Sequence, residues 1–153
     1  METLKIVIAD DAKVNNEMME LHLKKCENIE IVGVAEDGAQ EYELIKKFHP
    51  DLVITDNQMP NMTGCEVIKK IKDDNIEKKP QFIIVSSDSF RDLDYNNLNI
   101  MGIVDKPVNY DRIISMITEL IDSKNATEAD INELENCSTS KRKRSFFNKL
   151  FNK

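Results

Sequence analysis

The sequence predicts an α/β fold in which a doubly wound, five-stranded parallel sheet carries helices on both faces. Two observations predict it. Short apolar runs alternate five times with longer amphipathic segments, the pattern of β–α units joined in series. The runs are also continuously apolar, as expected for parallel strands that are covered on both sides. A chain of 153 residues accommodates one such domain and a tail.

The five strands are predicted from runs rich in β-branched and other apolar residues. They are LKIVIA at 4–9, IEIVGVA at 29–35, DLVIT at 51–55, QFIIVS at 81–86 and MGIVD at 101–105.

Five helices are predicted from apolar residues near helical spacing, such as Val14, Met18 and Leu21 in the first. Pro50 ends the second helix, because the residue before a proline disfavours helical geometry. The fourth segment contains three Asn residues and no firm apolar stripe, so its pattern is the weakest. The predicted helices cover 12–26, 39–48, 65–74, 89–100 and 110–123.

Composition divides the chain into a domain at 1–124, an acidic polar linker at 125–140 and a basic amphipathic tail at 141–153. The net charge of the whole chain is −7, but the tail contains six basic residues and no acidic one. The remaining residues, 1–140, hold 15 basic against 28 acidic side chains, a net charge of −13. An acidic body of this kind excludes a typical nucleic-acid-binding domain, and no nucleic-acid binding is expected.

The tail places Phe146, Phe147, Leu150 and Phe151 on one face of a short helix. Three interpretations stay open: a disordered terminus, docking on a partner or on the acidic body, and binding to an anionic membrane surface. The N-terminus lacks the features of a signal peptide, and no apolar run reaches the roughly 20 residues needed to span a bilayer. We therefore expect a cytoplasmic protein, with peripheral membrane attachment through the tail as the open alternative.

Polar residues stand directly at the carboxyl ends of four predicted strands, where ligands bind in open parallel sheets. They are Asp10 and Asp11 after the first strand, Asp56 after the third, Ser86 at the end of the fourth and Lys106 after the fifth. Three carboxylates at one edge repel one another unless a cation lies between them. Oxygen ligands without His or Cys suit Mg²⁺ first and Mn²⁺ second. Beside a divalent cation and a lysine, Asp56 can attack phosphorus and form an acyl phosphate.

Taken together, these motifs resemble the receiver domain of bacterial two-component response regulators, over roughly residues 3–122. The shared features are the acidic pair Asp10 and Asp11, the D-x-x-M-P-x-x-x-G pattern from Asp56 to Gly64, the VSS run ending at Ser87, and the DKP run with Lys106 and Pro107. The resemblance implies the flavodoxin-like strand order 2-1-3-4-5.

The resemblance also implies a function. Asp56 would accept a phosphoryl group from a sensor histidine kinase or a phosphotransfer protein, and a downstream target protein would bind the phosphorylated form. Beyond phosphotransfer and autodephosphorylation, no enzymatic activity is implied.

Site roles follow from the same resemblance. Asp11, Asp56 and the backbone carbonyl of Gln58 would bind Mg²⁺ directly, and Asp10 would act partly through metal-bound water. Lys106 would pair with the phosphoryl oxygens, and Ser86 would hydrogen-bond one of them as a switch residue.

Three positions depart from the family pattern. Ile103 occupies the switch position that usually holds Tyr or Phe, and it cannot make a phenol hydrogen bond. Asn57 stands where an apolar residue is common, and Ser87 where Ala or Gly is common. We expect phosphorylation to survive these changes and the coupling to output to be altered.

Three alternative functions compete with this prediction. A phosphoaspartate-forming phosphatase needs a general acid two residues after the nucleophile, where this chain has Gln58. A flavin-binding electron carrier would suffer repulsion between its phosphate and the Asp10–Asp11 pair. A receiver fragment of a longer transcriptional regulator stays open.

Overall fold

The computed structural model describes residues 3–87 and 98–136, with side chains as far as residue 126. Its elements are β1 (Leu4–Ala9), α1 (Lys13–Leu23), β2 (Ile29–Ala35), α2 (Gly38–Phe48), β3 (Leu52–Asp56), α3 (Gly64–Asp73), β4 (Gln81–Ser86), β5 (Ile100–Asp105) and α4 (Tyr110–Asn136). The strands form one parallel sheet in the order β2-β1-β3-β4-β5. The predicted five-stranded parallel sheet and its strand order are thereby confirmed.

The number of helices differs from the prediction. Four helices are present in the described ranges, whereas five were predicted. The helix predicted at 89–100 falls mostly on residues 88–97, which lie outside the described part of the chain. Its last residues are not helical, because 98–99 form a turn and Ile100 begins β5.

The last helix continues beyond its predicted end at residue 123 and reaches Asn136. Polar composition suggested a linker at this point, but polarity reports exposure rather than backbone conformation. No Gly or Pro occurs between Tyr110 and Asn136, so no residue there strongly disfavours the helix. The predicted tail at 141–153, with Phe146, Phe147, Leu150 and Phe151, lies outside the described residues. Among the helices that are described, none is both long and apolar enough to cross a membrane.

The chain divides into two units, Met1–Met116 and Ile117–Lys153, with the boundary inside α4. The first unit contains the whole sheet together with α1, α2 and α3. The described part of the second unit is the remainder of α4, as far as Asn136.

The core of the first unit uses alternate residues of each strand, since successive side chains of a strand point to opposite faces. Val7, Val53 and Ile84 pack in one buried cluster with side chains of α2 and α3, among them Ile45 and Ile68. The helices α2 and α3 therefore cover one face of the sheet, and their packing fixes the loop between β3 and α3.

Helix α1 buries a different face from the one that its apolar spacing suggests. Val14, Met18 and Leu21 are exposed, whereas Asn16, Met19 and Leu23 are buried. The buried amide of Asn16 donates to the main-chain carbonyls of Asp10 and Ala35, at 2.9 and 3.0 Å. These two bonds satisfy the amide and join the ends of β1 and β2 to the helix.

Candidate metal and phosphoacceptor site

Strand register brings the predicted site residues to one edge of the sheet. Ala9 pairs with Thr55, and Asp56 pairs with Val85, so β1, β3 and β4 end side by side. Ser86 pairs with Asp105, which aligns the end of β5 with the end of β4. The side chains that follow these strands therefore have neighbouring backbones, as the sequence predicted.

Three carboxylates meet at this edge. Asp10, Asp11 and Asp56 each offer an oxygen atom, and these atoms all lie within 4.8 Å of one another. Asp10 and Asp56 are buried, whereas Asp11 is exposed. The donor set consists of hard oxygen ligands without nitrogen or sulfur, and that chemistry fits Mg²⁺.

Lys106 contributes the positive charge of the site. Its Nζ atom lies 2.8 Å from Oδ2 of Asp56 and 3.8 Å from Oδ2 of Asp10. Burial by itself lowers the pKa of this ammonium group. The hydrogen bond and the charge of Asp56, with the charges of Asp10 and Asp11, outweigh burial and leave the pKa of Lys106 above its ordinary value.

Asp10 accepts hydrogen bonds from two residues that follow it closely in the sequence. Its Oδ1 atom accepts from the amide of Ala12 at 2.9 Å, and Nδ2 of Asn15 lies 3.3 and 3.2 Å from its two oxygens. Burial raises the pKa of Asp10, and the charge of Asp56 adds to this; the Ala12 amide, Asn15 and Lys106 act in the opposite direction. Asn15 was not among the predicted site residues, although its place one helical turn after the acidic pair could have indicated it.

The loop after Asp56 is organised by three main-chain amides and the side chain of Asn57. The amide of Gln58 donates to Oδ1 of Asp56 at 3.1 Å, which orients the carboxylate. The carbonyl of Asn57 accepts from the amide of Gly64, and its Oδ1 accepts from the amide of Cys65, both at 3.1 Å. Asn57 therefore satisfies two amides at the start of α3, which an apolar residue at this position could do only in part.

Two glycines let main chains approach each other around this loop. A Cβ atom at Gly64 would lie 2.7 Å from the carbonyl oxygen of Asp56. A Cβ atom at Gly38 would lie 1.9 Å from the carbonyl oxygen of Met62. Gly64 belongs to the D-x-x-M-P-x-x-x-G pattern predicted from the sequence. No sequence signal indicated that Gly38 lies against this loop.

The predicted switch residues occupy different surroundings. Ser86 is fully buried at the end of β4, and its carbonyl accepts from the amide of Lys106 at 2.9 Å. Ile103 is half-buried and packs against the core cluster that includes Ile84. Ser87 is exposed beside Ser86.

An open parallel sheet whose carboxyl edge gathers three aspartates and a paired lysine defines a protein of the receiver type. In agreement, the family model described as "Response regulator receiver domain" matches residues 6–118. The chain therefore belongs to the response regulator receiver domain family.

Sequence relatives carry this domain within longer proteins. A protein-glutamate methylesterase/protein-glutamine glutaminase of Methanococcus maripaludis is 37% identical over 71 residues, which are 46% of this chain and 20% of that protein. The uncharacterized transcriptional regulatory protein YesN of Bacillus subtilis is 32% identical over 123 residues, 76% of this chain and 32% of that protein. The chain thus matches a third or less of the length of these relatives.

Solved structures show the same fold. The response regulator domain of Thermotoga maritima CheB superimposes with a TM-score of 0.64 at 21% identity, covering 79% of this chain and 95% of the other. A chain of the CheX-CheY-BeF3-Mg+2 complex of Borrelia burgdorferi gives a TM-score of 0.68 at 19% identity, covering 78% and 90%.

Proposed function

We propose that this chain is a phosphorylation-activated response regulator that accepts a phosphoryl group on Asp56. The observation that carries the proposal is the ion pair between Asp56 and Lys106 inside a cluster of three carboxylates. Asp56 is nearly inaccessible, and its two oxygens are oriented by the amide of Gln58 and by Lys106. A carboxylate that is aimed and charge-balanced in this way is suited to nucleophilic attack on phosphorus.

Asp10, Asp11 and Asp56 would hold Mg²⁺, with the backbone carbonyl of Gln58 as a further ligand and Mn²⁺ as a substitute ion. When bound, the ion supplies positive charge beside the phosphoryl oxygens. Asp11 is exposed, whereas the oxygens of Asp10 already accept hydrogen bonds from amides. Asp11 is therefore the more accessible ligand.

In the reaction, an Asp56 oxygen forms the new bond to phosphorus while the bond to the imidazole nitrogen of a phosphohistidine breaks. The electron pair of that bond returns to the imidazole of the donor. Lys106 then pairs with the phosphoryl oxygens rather than with Asp56 alone, and Ser86 donates to one of them. The donor is a sensor histidine kinase or a phosphotransfer protein.

The output is binding to a downstream target protein. Ile103 stands at the switch position and packs against the core, so the readout would depend on apolar packing instead of a phenol hydrogen bond. The similarity to parts of longer regulators and methylesterases supports the receiver role only, and it leaves open that this receiver works beside an output domain. Contact of the tail with a membrane or a partner, and location in the cytoplasm, stay predictions.

The decisive experiment is incubation with acetyl phosphate and Mg²⁺, followed by intact mass spectrometry. We expect the wild-type chain to gain one phosphoryl group and Asp56→Asn to gain none. Asp105→Asn is the matched control, because Asp105 is an exposed carboxylate beside Lys106 and outside the cluster. Phosphorylation of Asp56→Asn, or no mass gain in the wild type, would sink the proposal.

A further inference from the structure

Glu41 is a carboxylic acid buried in the core next to the phosphoacceptor strand. It lies on α2, is wholly inaccessible to solvent, and its Oε2 atom lies 2.9 Å from the hydroxyl oxygen of Thr55. Its other oxygen, Oε1, has no hydrogen-bond partner among the described residues. An ionised carboxylate with one bond is costly in such a place, because burial removes the water that would stabilise its charge.

The hydroxyl group of Thr55 has one proton but lies within hydrogen-bond distance of two oxygen atoms. The hydroxyl oxygen of Thr55 lies 2.9 Å from Oε2 of Glu41 and 3.0 Å from the main-chain carbonyl oxygen of Asp56. A hydroxyl has one proton, and a carbonyl oxygen only accepts. Each of the two hydrogen bonds has a proton of its own when Glu41 is protonated and donates to Thr55, which leaves the Thr55 proton for Asp56; otherwise one proton is shared between two acceptors.

The electrostatics of Glu41 agree with this proton count. Burial raises the pKa of Glu41 to about 8, and the Thr55 hydrogen bond lowers it only in part. Burial and Thr55 are the influences on this carboxyl group among the described residues, with no ionised side chain from β3 or α3 contributing. The direction of this pKa shift favours the protonated form of Glu41 at neutral pH.

The main-chain carbonyl of Asp56, which is the last acceptor in this series of hydrogen bonds, is tightly packed. A Cβ atom at Gly64 would lie 3.0 Å from the Thr55 hydroxyl and 2.7 Å from the Asp56 carbonyl. The first residue of α3 therefore closes against the same carbonyl that Thr55 binds, and the Asp56 peptide has little room to rotate.

We propose that Glu41 is a positioning residue for the phosphoacceptor: its protonated carboxyl donates to the Thr55 hydroxyl, which donates to the main-chain carbonyl of Asp56. Loss of the Glu41 proton draws the Thr55 proton to the carboxylate and releases the Asp56 carbonyl. The hydrogen-bond chain stands on the structure alone; its effect on phosphorylation rests on the function proposed above.

The hydrogen-bond chain is tested directly by carbon-13 NMR of the full-length protein between pH 6 and about 10. In the wild type, the Glu41 carboxyl and the Asp56 main-chain carbonyl should shift with one shared alkaline midpoint. In Glu41→Gln the Asp56 carbonyl should lose this transition, because the amide donates to Thr55 at every pH. Glu43→Gln, an exposed neighbour on α2, should keep it. An Asp56 carbonyl that does not follow Glu41 in the wild type overturns the proposal without relying on any variant.

Phosphorylation by acetyl phosphate gives the functional test. The ratio of the wild-type rate to the Glu41→Gln rate should fall several-fold as pH rises through the Glu41 midpoint, whereas the ratio to Glu43→Gln stays constant. A purely structural role for Glu41 predicts parallel profiles, and parallel profiles overturn the positioning role. If the wild type is not phosphorylated while the NMR midpoints coincide, the proposed function fails and the hydrogen-bond chain stands.

Discussion

The Nζ atom of Lys106 lies 2.8 Å from Oδ2 of Asp56, and this ion pair joins the ends of the third and fifth strands across the sheet edge. Asp56 is almost fully buried, whereas the Lys106 side chain keeps 29% of its exposure. The lysine therefore balances a buried charge while part of its side chain stays accessible to solvent. Removal of either partner changes both the folding energy and the chemistry of the site.

Lys106→Met should lower the free energy of unfolding in the absence of Mg²⁺. The substitution leaves Asp56 buried without its cation and next to Asp10, a cost of about 3 kcal/mol, at the low end for a buried ion pair because the Lys106 side chain is partly exposed. Added Mg²⁺ should recover more stability in this variant than in the wild type. Chemical denaturation with and without Mg²⁺ measures both effects. Lys25→Met, at an exposed position, is the control, and an equal response of the two variants would contradict the prediction.

Asp11→Asn should weaken Mg²⁺ binding more than Asp10→Asn. Amides of Ala12 and Asn15 already donate to the Asp10 oxygens, whereas Asp11 is exposed. NMR titration of the two variants with Mg²⁺ gives the dissociation constants. Equal affinities would show that the two aspartates do not divide their roles in this way.

The contribution of Glu41 to the stability of the protein should fall as pH rises from about 4.5 to about 8. The folded state keeps the Glu41 proton up to its raised pKa, whereas the unfolded chain loses it near the ordinary value. Folding therefore takes up a proton in this pH window. The free energy of unfolding that Glu41 contributes should fall by a few kcal/mol, on the order of magnitude that the pKa shift implies. Above both pKa values this contribution becomes constant.

Glu41→Gln isolates that contribution, since the amide does not titrate. The difference in unfolding free energy between the wild type and Glu41→Gln, measured in urea at a series of pH values, should decrease across the window. Glu43→Gln should parallel the wild type. A constant difference between the wild type and Glu41→Gln would mean that Glu41 is ionised in the folded protein.

Asn16→Leu should destabilise the fold by about 1–3 kcal/mol. The Asn16 amide donates to the carbonyls of Asp10 and Ala35, and leucine would bury those carbonyls without that donor. Glu17→Leu, on the exposed side of the same helix, is the control. Equal unfolding midpoints for the two variants would show that the Asn16 bonds contribute little net stability.

Most of the fold could be predicted because its signals are local. Strands such as 81–86 are continuous apolar runs with distinct ends, and the structure begins and ends β4 at the same residues. The face of α1 could not be predicted, because burial of Asn16 depends on two carbonyls, one of which is 19 residues away. The length of α4 could not be predicted from composition, because polar residues after residue 123 indicate exposure and not the backbone conformation.

The candidate site was predictable where residues directly follow strands. Asp10, Asp11, Asp56 and Lys106 belong to that group, and the parallel topology alone brings them together. Glu41 could not be found in this way. It lies in the first turn of α2, where the sequence is polar and suggests exposure. Only the packing of that helix on β3 makes Glu41 a buried acid beside Thr55.

The contact between Gly38 and the carbonyl of Met62 also limits how this protein can move. With no gap between the start of α2 and the loop that follows Asp56, the two segments cannot slide past each other independently. A displacement of residues 60–62 towards Gly38 would therefore require the start of α2 to move as well.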